Sequence, residues 1–74
     1  MDTDIRKEFG NRVRELRAKN GMSQEALAHR AYLERSYISG VERGERNISL
    51  VNIGKIASAL QVSLESLFSA YHKK

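Results

Sequence analysis

The amino-acid sequence predicts an all-α fold of five short helices, in one domain over residues 1–74. Apolar residues recur three and four positions apart along almost the whole chain, which is the spacing of one helix face. No segment between turn signals alternates apolar and polar residues as a half-buried strand does. Serine and glycine stand where these helices would begin and end, and 74 residues suffice for one domain only.

The first helix is predicted over about residues 4–19, where Phe9, Val13 and Leu16 recur at i, i+4 and i+7. The Asn-Gly pair that follows is a C-terminal stop signal. A serine comes soon after, and its hydroxyl can accept a hydrogen bond from the unpaired N–H groups of a helix's first turn. The second helix is therefore predicted over about residues 24–31.

The other three helices are predicted over about residues 35–42, 50–60 and 64–71. The first of them stops near Gly44. A serine stands immediately before each of the other two and can cap its first turn. Both of these helices carry their apolar residues on one stripe, so each has a face to bury.

The charge balance favours an anionic partner. Thirteen Lys and Arg stand against nine Asp and Glu, so the formal net charge is +4, and the pI is about 9.8. This excess favours nucleic acid first among anionic partners, although an ordinary basic surface gives the same balance. No apolar run approaches the ~20 residues of a membrane span, and the N-terminus lacks the apolar core of a signal peptide. We therefore expect a cytoplasmic protein.

Nothing in the sequence indicates an enzyme or a metal site. Cysteine is absent, and His29 and His72 are far apart with no cluster of ligands around either. No paired carboxylates have catalytic spacing. We expect no cofactor and no small-molecule ligand. A chain this short gains stability from disulfides, metal or association, so association as a homodimer is the expected route.

Residues 24–43 have the features of a helix-turn-helix, in which two short helices meet at a tight turn and the second enters the DNA major groove. The two helices need a small residue where they cross, and Ala28 supplies it. Leu33 lies in the turn, where a buried side chain would fix the angle between the helices. The other apolar positions of the pair are Leu27, Ala31, Ile38 and Val41.

The sequence SQEALAHRAYLERSYISGVERGERN, residues 23–47, resembles the DNA-binding domain of lambdoid phage repressors and Cro, the XRE-like family. The resemblance extends over about residues 9–68. Within the family, RSYISGVERGERNISLVNI looks most like the small controller proteins of restriction–modification systems. It implies a lambda-repressor-like domain that binds a pseudo-palindromic operator as a homodimer and activates or represses transcription. A phage-type repressor, an antitoxin and, in a different class, a helical protein–protein adaptor are the alternatives.

Two positions matter for how the helix-turn-helix is held. Many family members have glycine in the turn where this chain has Tyr32, and that position often needs a positive φ, which is uncommon for a bulky residue. Either the turn differs or it is strained. The family also pairs a glutamate at the end of the third helix with an arginine on the first, here Glu42 and Arg17. The resemblance therefore implies a structural ion pair between them.

Arg35, at the N-terminal end of the third helix, is the principal candidate for a base contact. Its planar guanidinium suits the O6 and N7 atoms of guanine, although an ion pair with a nearby glutamate is the alternative. Gly40 falls on the pole of the helix opposite Ile38 and Val41, where its missing side chain is expected to give clearance for DNA. The predicted base-contacting set is Arg35, Ser36, Tyr37 and Ser39.

Phosphate contacts are expected from residues beside the third helix. Gln24 opens the second helix, where backbone N–H groups and the helix dipole favour an anion. The resemblance assigns contacts with the DNA backbone to Ser23 and Gln24, and to the loop that follows the third helix. The loop residues are Arg43, Arg46 and Asn47, for each of which plain solvation of an exposed side chain is the alternative.

The fourth and fifth helices, about residues 50–71, are the predicted dimerisation element. They carry more large apolar side chains than a small core needs, although a single intramolecular core is the alternative. Glu25 is a possible contact for RNA polymerase by resemblance, or simply an acidic residue that the helix dipole favours. The predicted interface residues are Val51, Leu64, Leu67 and Phe68.

Overall fold

The computed structural model describes residues 4–69, which form five α-helices and no strand. The all-α, five-helix fold that the sequence predicts is confirmed. α3 packs against both α1 and α2, and α4 packs against α2, so that two helices support the second half of the helix-turn-helix. The helices are α1 Ile5–Lys19, α2 Gln24–Ala31, α3 Arg35–Glu42, α4 Leu50–Leu60 and α5 Leu64–Leu67.

Side-chain caps mark where four of the five described helices, all but α3, begin. The hydroxyls of Ser23, Ser49 and Ser63 each accept a hydrogen bond from the backbone N–H three residues further on, at 3.0, 3.1 and 3.0 Å. Asp4, predicted as the first residue of α1, is instead its N-cap and accepts from the backbone N–H of Arg6. The bounds of α2, α3 and α4 agree with the predicted ones.

α5 is shorter than predicted. It ends at Leu67, and Phe68 leaves the helical region at φ −99° and ψ 9°. The guanidinium of Arg12 on α1 donates to the carbonyl oxygen of Ser66 at 3.1 and 2.8 Å, which satisfies a carbonyl that so short a helix leaves unpaired. The part of the predicted helix from residue 70 onward lies outside the described residues.

One residue predicted to lie in the dimer interface, Leu67, is on the inward face of α5. Leu67 is 0% exposed, so its side chain belongs to the core of its own chain and is not available to a partner. Phe68 is half-buried, with its ring centroid 5.2 Å from that of Phe9 on α1. Leu64 remains 50% exposed. The apolar stripe of α5 therefore divides between the core and the surface.

Tyr32, in the turn between α2 and α3, adopts a left-handed backbone conformation. Its φ and ψ are 59° and 42°, and the next N–H, that of Leu33, donates back to the carbonyl oxygen of Ala28 at 2.9 Å. A residue with a Cβ costs about 1–2 kcal/mol in this region. The Tyr32 side chain is 86% exposed, so its own packing contributes little to offset that cost. Gln61 closes α4 in the same way at φ 59°.

α1 and α3 approach each other closely at Gly10, which was not identified from the sequence. A Cβ built on Gly10 would collide with the carbonyl oxygen of Val41 and lie 2.9 Å from that of Glu42. Both obstacles are backbone atoms, which cannot rotate away as a side chain can. Glycine at this position therefore sets how near the end of α3 comes to α1.

Gly10→Ala is expected to lower the free energy of unfolding by about 1–3 kcal/mol, since overpacking forces the backbone of α3 to move. Gly54→Ala is the matched control, because a Cβ at Gly54 meets no atom within 4 Å. That variant should gain up to about 1 kcal/mol from its better helix propensity. Urea unfolding of both variants measures the difference. Equal effects would show that α1 and α3 are not in tight contact at Gly10.

Candidate nucleic-acid interface

α3 has a buried side and a more exposed side. Its apolar side chains, Ile38 and Val41, belong to the core. Gly40 and Glu42 are buried as well, and the other positions are exposed to different extents, as expected for a helix that is held on one side and presented on the other. Of the predicted base-contacting residues, Arg35 and Ser36 are exposed and Tyr37 and Ser39 are half-buried.

Arg35 begins α3 and is exposed. Within residues 4–69 its guanidinium makes no ion pair, so the alternative of pairing with Glu34 or Glu42 does not occur in this structure. Glu34, the N-cap residue, makes no side-chain capping bond either. The N-terminal end of α3 thus offers an unpaired planar cation, the group best suited to a guanine edge.

Tyr37 is held from two directions. Its ring packs against the core cluster, and the guanidinium carbon of Arg46 lies 5.0 Å from the ring centroid, a cation–π arrangement. Its hydroxyl oxygen accepts a hydrogen bond from the side-chain amide of Asn52 on α4 at 3.2 Å. These contacts join α3, the loop after it and the first turn of α4.

The prediction that Gly40 leaves clearance for DNA needs a correction. It is buried, and the side chain of Arg46 crosses it, so the space left by the missing side chain is filled by the chain itself rather than open. A Cβ at Gly40 would lie 3.0 Å from Nε and 3.2 Å from Cγ of Arg46. The helical wheel placed Gly40 on the correct pole but could not show that the loop folds back over it.

The loop after α3 exposes Arg43, Arg46 and Asn47, the residues predicted to contact the DNA backbone. Arg43 donates to the hydroxyl of Ser39 one turn earlier, and its guanidinium pairs with Glu45 at 3.1 Å. Both members of that ion pair are exposed, so the pair contributes at most about 1 kcal/mol and a phosphate can compete for the arginine.

The carboxylate of Glu42 joins the first three helices. Arg17 on α1 donates to it twice, from Nε to Oε2 at 2.6 Å and from Nη2 to Oε1 at 3.0 Å. The side-chain amide of Gln24 on α2 donates to Oε1 at 3.0 Å. The guanidinium of Arg14 lies 3.6 Å from Oε1. The predicted pairing of Arg17 with Glu42 is thus one part of a larger network.

Ser23 and Gln24 both have partners within the chain. The Ser23 hydroxyl caps α2, and the Gln24 amide is bound to Glu42, so neither side chain is free in the way that was expected from the sequence. Their position is nevertheless the one expected. Ser23 is exposed and Gln24 half-buried at the N-terminal end of α2, where backbone N–H groups favour an anion.

Opposite effects act on the pKa of Glu42. Burial raises the pKa of its carboxyl group, whereas hydrogen bonds from Arg17 and Gln24 and the charges of Arg17 and Arg14 lower it. The net result is a pKa below the ordinary value of 4.5. Glu42 therefore stabilises the fold above its unfolded pKa, and this contribution is lost as the pH falls through the lower, folded value.

Arg14 and Asn52 are the side chains of this region that were not identified from the sequence. Arg14 precedes Arg17 by three residues, so both lie on one face of α1, and that spacing was an available signal. Asn52 has no comparable signal. Its partner, Tyr37, is fifteen residues away on another helix, and only the packing of α4 brings the two together.

This arrangement defines a helix-turn-helix protein: two short helices joined by a tight turn, the second with a buried side and a cationic border. Residues 13–67 match the HTH_3 helix-turn-helix family. The match covers most of the chain, and the chain belongs to that family. The resemblance to the XRE-like family that the sequence indicates is therefore confirmed.

The chain is similar to several control proteins. Control protein C.MunI from Mycoplasma sp is 44% identical over 72 residues, which are 96% of this chain and 97% of that protein. Control protein C.BamHI from Bacillus amyloliquefaciens is 52% identical over 68 residues, 90% of this chain and 84% of that protein. The crystal structure of the restriction-modification controller protein C.AhdI from Aeromonas hydrophila has a TM-score of 0.86 and 53% identity, and covers 89% of this chain and 100% of that one.

Membrane spans and metal-binding clusters are both absent from the described residues. None of the helices within residues 4–69 has the length and apolar character needed to cross a membrane. Over the same residues, no three or more histidine, aspartate or glutamate side chains are grouped so that they could hold a metal ion.

Glu42→Ala is expected to lower the free energy of unfolding by about 3–5 kcal/mol, because it leaves Arg17 without its buried carboxylate. Glu34→Ala is the matched control, since Glu34 is exposed and makes no side-chain cap. Glu42→Gln adds a pH test. Its stability deficit against the wild type should shrink as the pH falls below 4.5. Urea unfolding over a pH series measures both effects, and equal losses for the two alanine variants would contradict the role of Glu42.

Proposed function

We propose that this chain is a DNA-binding transcription regulator of the restriction–modification controller type. The observation that carries the proposal is the exposed side of α3, where Arg35 is unpaired and Arg43 and Arg46 follow in the adjoining loop. The carboxylate of Glu42, at the end of α3, is buried and neutralised by Arg17 and Arg14, so it does not repel a phosphate. Similarity to named control proteins along nearly their full lengths supports the same conclusion.

The proposed role of each side chain in DNA binding follows from its chemistry. Arg35 reads a guanine edge from the N-terminal end of α3, with Ser36, Tyr37 and Ser39 beside it. Phosphates on either side are bound by the N-terminal end of α2 and by the loop after α3. A net charge of +4 steers the chain toward DNA, and such a regulator acts in the cytoplasm.

We propose a homodimer formed through α4 and α5. Val51 is 68% exposed and Leu64 50% exposed, and Leu50 beside Val51 is also exposed, an apolar surface that a chain this small gains by covering. Leu67 contributes nothing to it, and Phe68 is only partly available. A two-fold dimer sets two α3 helices about 34 Å apart, which makes the operator pseudo-palindromic.

We propose activation or repression of transcription as the outcome of operator binding, with Glu25 as a possible contact for RNA polymerase. Glu25 lies in the first turn of α2 and is exposed. Its position supports a contact with a second protein while α3 occupies the groove. The alternative, that Glu25 only interacts favourably with the helix dipole, predicts no effect on transcription when the side chain is removed.

Selection of bound sequences from random DNA tests the proposed function. We expect enrichment of a two-fold symmetric site, whose affinity falls steeply as salt rises because each neutralised phosphate releases counterions. Arg35→Ala should weaken binding to that site by about 1–3 kcal/mol, whereas Arg30→Ala, at an exposed position on α2, is the matched control. A protein–protein adaptor predicts no enrichment and no salt-sensitive binding.

The dimer is tested separately by charge substitution. Val51→Asp and Leu64→Asp should each shift the chain toward monomer, because a carboxylate in an apolar interface loses its hydration without a partner. Tyr32→Asp serves as the control, since Tyr32 is even more exposed but lies outside α4 and α5. Sedimentation at micromolar concentration measures the change. A wild-type chain that is strictly monomeric there would contradict the proposed interface.

A further inference from the structure

The side chain of Asn52 makes a contact that is unusual for its position in a helix. It is the third residue of α4, where its backbone N–H donates to the capping hydroxyl of Ser49 at 3.1 Å. At this position a long polar side chain commonly reaches back to its own helix's cap. The side chain of Asn52 instead leaves its helix and donates from Nδ2 to the hydroxyl oxygen of Tyr37 on α3 at 3.2 Å.

This bond determines what the Tyr37 hydroxyl can do. A phenolic hydroxyl has one hydrogen to donate and can also accept a bond. Because Asn52 occupies the accepting side, the hydroxyl hydrogen is directed elsewhere. No other hydrogen bond of this hydroxyl occurs within residues 4–69. The group is therefore prepared to donate to an acceptor outside the chain, such as a phosphate oxygen or the acceptor atoms of a base edge.

The same contact bears on Arg46. Its guanidinium lies over the Tyr37 ring at 5.0 Å, and its side chain crosses Gly40 so closely that a Cβ there would make it shift. Tyr37 is thus fixed at its hydroxyl by Asn52 and covered on its ring by Arg46. If the Tyr37 ring rotated, the ring face that Arg46 packs against would move with it. The hydrogen bond from Asn52 on α4 therefore orders both Tyr37 and Arg46.

We infer that Asn52 is a positioning residue for DNA binding: it holds Tyr37 so that the Tyr37 hydroxyl donates to a DNA acceptor and Arg46 keeps its place above the ring. The inference rests on the proposed function. It adds a residue of α4 to the recognition surface through an intramolecular contact, and it makes no use of any contact between Asn52 and DNA.

A double-mutant cycle on the selected duplex tests this role. Asn52→Ala is expected to weaken binding about fivefold, within the range of coupling between residues in contact. Tyr37→Phe removes the hydroxyl but keeps the ring beneath Arg46, and should weaken binding by at least as much. In the Tyr37→Phe background, Asn52→Ala should cause no further loss, because the group that it positions is already absent.

Two controls separate positioning from general damage. Asn11→Ala makes the same chemical change at an exposed position of α1 whose side chain forms no hydrogen bond within residues 4–69, and binding should not change. Alanine favours helix more than asparagine does, so Asn52→Ala should keep its urea midpoint and its sedimentation behaviour.

The outcomes distinguish this inference from the function on which it rests. If no sequence is enriched by the wild-type chain, the proposed function itself fails. If a site is enriched but Asn52→Ala weakens binding equally in the wild-type and Tyr37→Phe backgrounds, Asn52 acts independently of the hydroxyl and the positioning role is overturned. An Asn52→Ala variant that binds as tightly as the wild type overturns it as well.

Discussion

The rest of the structure depends on one buried carboxylate, that of Glu42. Apolar packing holds α3 against its neighbours but has no direction, so it leaves the angle and depth of the helix loosely defined. A buried charge must be paired in a definite geometry, because leaving it unpaired is costly. Arg17 on α1 and Gln24 on α2 meet this requirement together. The three helices are therefore ordered by directional bonds to a single group.

The opposite side of α3 is ordered in a different way. There the contacts are a cation over a ring and one neutral hydrogen bond, both within reach of solvent, so they are weaker than the buried network. They order individual side chains rather than whole helices. The buried network defines where α3 stands, and these contacts order Tyr37 and Arg46 on the side that also presents Arg35.

Local features of the sequence account for what could be predicted. α2 and α4 each begin directly after a capping serine, so their starts could be predicted without a structure. The buried face of α3, with Ile38 and Val41, follows from helical spacing and could be predicted as well. Contacts distant in sequence were not. A stripe of apolar residues cannot show whether it faces its own core or a partner, which is why Leu67 was misassigned.

The same limit explains why the predictions for Gly40 and Gln24 were only partly correct. Each was placed on the expected surface, but the helical wheel carries no information about a loop that returns over a helix or an amide that turns inward. The pairing of Glu42 with Arg17 was available only through resemblance to a family.

The central claim is that the buried network around Glu42 presents one side of α3 to DNA. Titration of the chain with the selected duplex, followed by the backbone amide signals in heteronuclear NMR, tests it most directly. The largest changes should fall on residues 23–24, 35–39 and 43–47, with the side-chain signals of Arg17 little altered. Largest changes on α1 and α5 instead, or their absence from α3, would contradict the account.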